Sequence, residues 1–132
     1  MSVANEDLIR AATEARKNAY ARYSGFTVGA AIVDDQGRLH VGCNVENAAY
    51  PLGSCAEAAA IGAMVQEGGR RIVKIAVVGG LGDIASCTPC GGCRQRISEF
   101  ADDDTAILAI DDSGEWQEYS MAALLPASFH LP

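Results

Sequence analysis

Positive charge is scarce in this sequence of 132 residues. It contains 10 lysines and arginines against 17 aspartates and glutamates, which gives a net charge of −7 at pH 7. Proteins hold a phosphate backbone mainly through lysine and arginine, so an acidic domain without basic stripes is a poor candidate for binding nucleic acid. We therefore expect a small molecule or another protein as the partner.

A signal peptide and long apolar runs are missing as well. The first residues, MSVANEDLIRAATEARKN, lack the basic and then apolar segments that mark a secretory signal. No apolar run approaches the roughly 20 residues that span a bilayer. These absences predict a cytoplasmic protein with no membrane partner.

Repeats, low-complexity tracts and linkers are also absent, so we expect a single domain over residues 1–132. Hydrophobic spacing and turn residues predict helices over 5–22, 55–67, 91–100 and 120–125, and strands over 27–33, 38–44, 72–78, 105–110 and 115–118. Two of the strands are apolar on both faces and belong inside a sheet. The order predicts an α/β fold, a three-layer α/β/α sandwich around a mixed five-stranded sheet.

Five cysteines need an explanation: Cys43, Cys55, Cys87, Cys90 and Cys93. A reducing compartment does not favour a disulfide framework, and the odd count argues against complete pairing. The cysteines are therefore small buried hydrophobes, metal ligands or a nucleophile. The last two roles require partner residues at a suitable spacing.

Two of these cysteines form PCGGC, residues 89–93, at the start of a predicted helix. Sulfurs at positions i and i+3 can face one point and supply two corners of a tetrahedral zinc site. The same spacing occurs in redox motifs, so the motif alone leaves both roles open. A closed structural zinc site would need a second CxxC motif, which this sequence lacks.

The complement to this motif is CAE, residues 55–57, at the start of an apolar helix. Three thiolates and a fourth position held by water describe a catalytic zinc site, in which zinc lowers the pKa of that water. Glu57 is then a general acid and base, and burial should raise its pKa. We expect the two helix N-termini, and Arg94 next to Cys93, to offset the charge of the thiolates.

These motifs together resemble the zinc signature of cytidine deaminases, namely CAE at 55–57 and PCGGCRQ at 89–95. Three further segments are similar to motifs of that family: YSGFTVGAA at 23–31, GCNVENAAYPLG at 42–53 and LLPASF at 124–129. The similarity extends over nearly the whole chain. The length and the three cysteine ligands resemble the small homotetrameric type.

The resemblance implies hydrolytic deamination of free cytidine and 2′-deoxycytidine, with Zn²⁺ on three cysteines and Glu57 moving protons to N3 and to the leaving amine. It also implies a homotetramer whose sites are completed across subunits. The substrate-binding roles that it implies are Asn44 and Glu46 on the ribose, Phe26 against the base, the backbone N–H of Ala56 on the base carbonyl, and Tyr50 and Phe129 across a subunit interface.

One position departs from the family pattern. Many small members have arginine directly after CAE, where this sequence has Ala58. Arg94 and the helix ends are therefore expected to carry more of the charge compensation. An N4-substituted or blasticidin-like substrate remains an alternative, although NVEN at 44–47 favours a substrate with ribose. A non-catalytic protein with a structural zinc is the other alternative, and it would need neither Glu57 nor Asn44.

The other chemically notable residues have ordinary interpretations. Cys43 and Cys87 are predicted to be small buried or loop cysteines. His40 and His130 are predicted to be surface or strand residues.

Overall fold

The computed structural model describes residues 3–132. The first two residues of the predicted domain lie outside that part of the chain. The elements in chain order are α1 (Asn5–Arg16), β1 (Thr27–Asp34), β2 (Leu39–Cys43), a short 3₁₀ turn (Tyr50–Leu52), α2 (Ala56–Gln66), β3 (Ile72–Gly80), α3 (Gly91–Glu99), β4 (Ala106–Ile110), β5 (Trp116–Ser120) and α4 (Met121–Leu124).

The N-terminal helix is shorter than its hydrophobic spacing predicts. It ends at Arg16, whereas the predicted helix continued to residue 22. The chain then turns so that Tyr20 bridges Val45, with the Tyr20 N–H donating to the Asn44 carbonyl and the Tyr20 carbonyl accepting from the Glu46 N–H. Pairing with the segment after β2 therefore replaces the last helical turns.

The sheet has the strand order β2-β1-β3-β4-β5. The β3–β4 pair is parallel and the other three pairs are antiparallel, so the sheet is mixed and five-stranded as predicted. The β1–β2 hairpin turns through Gly37, whose φ of 77° is a conformation that glycine adopts without strain. The strands β1 and β3 are almost wholly buried, as their apolar runs predict.

Helices cover both faces of the sheet, which confirms the three-layer sandwich. One face packs against α1, and the cluster there includes Leu8, Ala12, Ala31, Val33, Val78 and Leu108. The other face packs against α2, α3 and α4, and the cluster there includes Ala60, Met64, Ile97, Ile32, Ile75, Val77, Ile107 and Leu124. The nearly continuous apolar sequence of α2 is explained by its position in this second cluster.

Glycines bring the helices into direct contact with the strands. A Cβ atom on Gly42 of β2 would lie 2.5 Å from the Ala60 nitrogen and 2.7 Å from the Ala56 carbonyl oxygen of α2. A Cβ atom on Gly29 of β1 would lie 2.0 Å from the Ala12 carbonyl oxygen of α1. The start of α2 is thus held against the end of β2, and this contact positions the residues on either side of it.

Across residues 3–132, no helix combines the length and the apolarity that crossing a bilayer requires.

Candidate active site

Three cysteines from two helix starts converge on one point. The sulfurs of Cys55, Cys90 and Cys93 all lie within 4.8 Å of one another. Cys55 is the N-cap residue of α2 and Cys90 that of α3, and both have extended backbone before the helix begins. Zinc–sulfur bonds of about 2.3 Å in a tetrahedron place sulfurs about 3.8 Å apart, which is compatible with separations of up to 4.8 Å. The donor set therefore fits zinc, and the protein supplies three ligands.

The three cysteines differ in their exposure to solvent, and Cys90 is exposed. Cys93 is fully buried, and burial raises its pKa and that of Cys55. Burial also acts on Cys90, but the backbone N–H of Cys93 and the neighbouring thiols outweigh it and lower the Cys90 pKa. Binding of a metal cation replaces the thiol protons and stabilises the thiolates.

Glu57, the second residue of α2, is 4% exposed. Burial raises its pKa, against the smaller effects of its own backbone N–H, of Cys93 and of the Arg96 charge. Glu57 lines the same cavity as Cys55 and Cys90. A carboxyl group with a raised pKa beside a metal site is suited to accepting and donating a proton during a reaction.

The cavity has a volume of about 400 Å³, within the usual range of small-molecule sites. It lies between the start of α2, the segment after β2 and the loop before α3. The residues predicted from sequence that line it are Phe26, Asn44, Glu46, Tyr50, Cys55, Ala56, Glu57 and Cys90. Phe129 does not line it, and that side chain is 66% exposed.

Two polar residues in the cavity are held in fixed orientations. Asn44 Oδ1 accepts from the Val28 N–H at 2.8 Å, and Asn44 Nδ2 donates to the Phe26 carbonyl at 2.9 Å. Glu46 accepts from the Ser24 hydroxyl and from two backbone N–H groups, of Ser24 and Tyr23. The Ser24 hydroxyl and these N–H groups hold the Glu46 pKa below its usual range, so the carboxylate is ionised.

The side chain of Arg94, which was expected to offset the charge of the thiolates, makes its hydrogen bonds to other groups. Its guanidinium donates to the carbonyls of Pro89 and Leu124 at 2.8 and 3.0 Å, and to the Thr88 hydroxyl at 3.3 Å. It therefore ties the loop before α3 to the end of α4. Adjacent residues on a helix point about 100° apart, so neighbourhood in sequence with Cys93 does not by itself bring the Arg94 guanidinium to that sulfur.

Sequence reasoning missed three contributors to the site. Arg96 Nη1 lies 3.5 Å from Cys93 Sγ, and the i,i+3 spacing on a helix was a usable signal for it. Ser24 orients Glu46, and its place in the YSGF segment gave no indication of that contact. Cys87 lines the cavity without joining the metal group, and burial raises its pKa to about 11.

Comparison with known proteins agrees with this geometry. The family model described as the cytidine and deoxycytidylate deaminase zinc-binding region matches residues 2–109. Cytidine deaminase of Sporosarcina psychrophila is 40% identical over 124 residues, which are 94% of this chain and 90% of that protein. Cytidine deaminase of Halalkalibacterium halodurans is 41% identical over 122 residues, 92% and 91% of the two chains.

A solved structure shares the architecture as well. The crystal structure of cytidine deaminase from Burkholderia pseudomallei superposes with a TM-score of 0.86 at 40% identity, covering 96% of this chain and 100% of that chain. The matched residues 2–109 include Glu57 and the three cysteines that are positioned to hold a metal ion. This chain therefore belongs to the family of zinc-binding cytidine and deoxycytidylate deaminases.

Proposed function

We propose that this protein hydrolyses free cytidine and 2′-deoxycytidine to uridine and 2′-deoxyuridine, with release of ammonia. One observation carries the proposal: Cys55, Cys90 and the buried Glu57 line the same cavity of about 400 Å³. A purely structural zinc site has no use for a buried carboxyl group beside it or for a cavity above it.

Zinc, when bound by the three cysteines, polarises a water molecule and lowers its pKa. Glu57 would accept one proton from the attacking water and deliver it to N3 of the cytosine ring. It would then accept the remaining proton from the new C4 hydroxyl and pass it to the amine that leaves C4. A C4–O bond forms and the C4–N4 bond breaks, so cytidine and water become uridine and ammonia. The raised pKa of Glu57 suits a group that must take up and release a proton in each turnover.

The remaining cavity residues bind and orient the nucleoside. The backbone N–H of Ala56 lies in the first turn of α2, where it has no partner within the helix, and it donates to the base carbonyl. Phe26 covers the face of the base. Asn44 and Glu46 hold the ribose hydroxyls, and the backbone contacts that fix both side chains reduce the entropy cost of binding.

We also propose that the protein is a homotetramer in which Tyr50 and Phe129 reach a neighbouring subunit's site. Both side chains are largely exposed in the single chain, at 77% and 66%. Light scattering of the purified protein tests the assembly. Full activity at a concentration where the protein is monomeric would contradict it.

We further propose a cytoplasmic location. Zinc binding by Cys55, Cys90 and Cys93 needs reduced thiols, which a reducing compartment maintains.

A substrate panel tests the activity. The panel contains cytidine, 2′-deoxycytidine, 2′-deoxycytidine 5′-monophosphate, free cytosine and a cytosine-containing oligonucleotide, with loss of cytosine absorbance and ammonia release as the two measurements. We expect both free nucleosides to react, cytosine to react poorly because Asn44 and Glu46 have nothing to bind, and the phosphorylated substrates to react poorly beside the negative Glu46. A folded, zinc-loaded protein that releases ammonia from neither nucleoside would contradict the proposal.

A further inference from the structure

The metal centre carries an excess of negative charge. Three thiolates around one divalent zinc leave a net charge of −1, and Glu57 adds another when it is ionised. Cys93 Sγ lies in a fully buried residue, so water does not solvate its charge. Burying an uncompensated charge is costly, and a nearby cation or hydrogen-bond donor is needed to offset it.

The two helices that carry the ligands offer few cations. The sequence of α2, AEAAAIGAMVQ, contains no lysine or arginine. The sequence of α3, GGCRQRISE, contains Arg94 and Arg96, and Arg94 donates to two carbonyls and a hydroxyl away from the sulfurs. Arg96 is thus the cation on the metal-bearing helices that faces a ligand.

The geometry of Arg96 suits this role. Its Nη1 atom lies 3.5 Å from Cys93 Sγ, one helical turn further along α3. A Cβ atom added to Gly92 would lie 3.4 Å from the same Nη1, so the guanidinium passes closely over a residue without a side chain. Arginine keeps its charge at every physiological pH, and its flat guanidinium can donate to sulfur.

We infer that Arg96 is the positioning residue that compensates the charge of the metal centre. Its hydrogen bond and positive charge offset part of the excess negative charge that three thiolates place on the zinc centre, which strengthens zinc binding. They also draw electron density from the sulfur, which leaves the bound ion a better Lewis acid. This inference rests on the proposed zinc-dependent function, but its first consequence is metal affinity, which is measured without substrate.

The test compares zinc affinity in Arg96→Gln, Arg96→Lys and the wild-type protein by competition with a chromogenic zinc chelator at pH 7. We expect Arg96→Gln to bind zinc about 10- to 100-fold more weakly, in line with other residues that contact metal ligands. Arg96→Lys keeps the charge and should lose much less. The matched control is Arg10→Gln on α1, whose side chain is 70% exposed, and its zinc affinity should equal that of the wild type.

A double variant tests whether charge is what matters. Ala58 stands three residues after Cys55 on α2, as Arg96 stands three residues after Cys93 on α3. Adding Ala58→Arg to Arg96→Gln supplies a cation three residues after a different cysteine of the metal group, and we expect it to recover part of the lost zinc affinity. A double variant that binds zinc no better than Arg96→Gln would overturn the inference.

Three other results bear on the inference. Wild-type zinc affinity in Arg96→Gln would overturn it, and so would a loss in Arg96→Lys as large as that in Arg96→Gln. Melting temperatures measured with excess chelator should be equal in the single variants and the wild type, because the proposed effect acts on the zinc-bound form. A wild-type protein that binds zinc but does not deaminate nucleosides would contradict the proposed function alone.

Discussion

Two buried carboxylates, Asp34 at the end of β1 and Glu57 at the start of α2, show how different surroundings give one chemical group opposite properties. Asp34 is 1% exposed and accepts from the Gln36 N–H, from the N–H and Nε of Arg38, and lies 2.8 Å from His40 Nε2. Burial acts to raise its pKa, but His40 and the other donors hold that pKa at about 2. Glu57 is 4% exposed, has fewer donors, and burial raises its pKa.

The comparison shows that hydrogen-bond donors, more than burial, decide whether a carboxyl group can move protons. Asp34 stays ionised throughout the physiological range and anchors the β1–β2 turn. Glu57 faces a cavity and can change its protonation state during a reaction. The four predictions below test this contrast, beginning with the largest expected effect.

Glu57→Gln should remove proton transfer and leave the fold intact. We expect kcat on cytidine to fall by about 10²- to 10⁴-fold, the usual contribution of a general acid and base. Zinc content should stay at about one ion per chain, because Glu57 is not a ligand. The free energy of unfolding should not decrease, since glutamine brings no buried charge. The exposed Glu99→Gln on α3 is the control, and unchanged turnover in Glu57→Gln would remove Glu57 from its role.

Asp34→Asn should lower the stability of the fold and leave the turnover unchanged. Its amide group would meet donors that now bind a carboxylate, and we expect a loss of about 3 kcal/mol in the free energy of unfolding, measured by urea denaturation. The kcat of the protein that remains folded should match the wild type, because Asp34 lies at the end of β1 and does not line the cavity. A large drop in kcat with unchanged stability would reverse the assignment of the two carboxylates.

The difference in unfolding free energy between the wild type and Asp34→Asn should depend on pH. The Asp34 pKa is lowered from 3.8 to about 2, so the stabilisation is fully present above 3.8 and is lost as the pH falls through about 2. The part contributed by ionisation is about 2 kcal/mol. The difference in unfolding free energy between the wild type and Asp34→Asn should therefore shrink by about 2 kcal/mol between pH 4 and about pH 2. A difference that stays constant over that range would contradict the lowered pKa.

Arg38→Gln should have the smallest effect. The Arg38 side chain is 39% exposed, and Asp34 keeps the backbone donors and His40 after the substitution. We expect a loss below about 1 kcal/mol in thermal or urea unfolding. A loss as large as that of Asp34→Asn would mean that the guanidinium, and not the set of donors, keeps the carboxylate ionised.

Much of the fold follows from local patterns in the sequence. The apolar runs of β3 and β4 predicted interior strands, and the turn residues before β2 predicted the hairpin. The end of α1 was not predictable in this way, because the pairing of Tyr20 with Val45 competes with the helix and joins distant segments. His40 was expected at the surface or in a strand, and its burial against Asp34 likewise depends on tertiary packing.

The site was also predictable only where local sequence motifs determine it. The PCGGC motif and Cys55 gave the metal ligands from chemistry and spacing, whereas the substrate-binding roles of Asn44 and Glu46 came only from the resemblance. The choice between Arg94 and Arg96 needed the helical geometry, which places residue 96 rather than residue 94 over Cys93.

The direct backbone contact between Gly42 and the start of α2 has a consequence for folding. The height of Cys55 above the sheet is set by two backbones in contact, with no side chain able to adjust between them. A hairpin that paired out of step would place a side chain at this point and lift Cys55 away from the other two sulfurs. We therefore expect zinc binding to require the correct register of β1 and β2, because a misaligned pair would keep Cys55 away from Cys90 and Cys93.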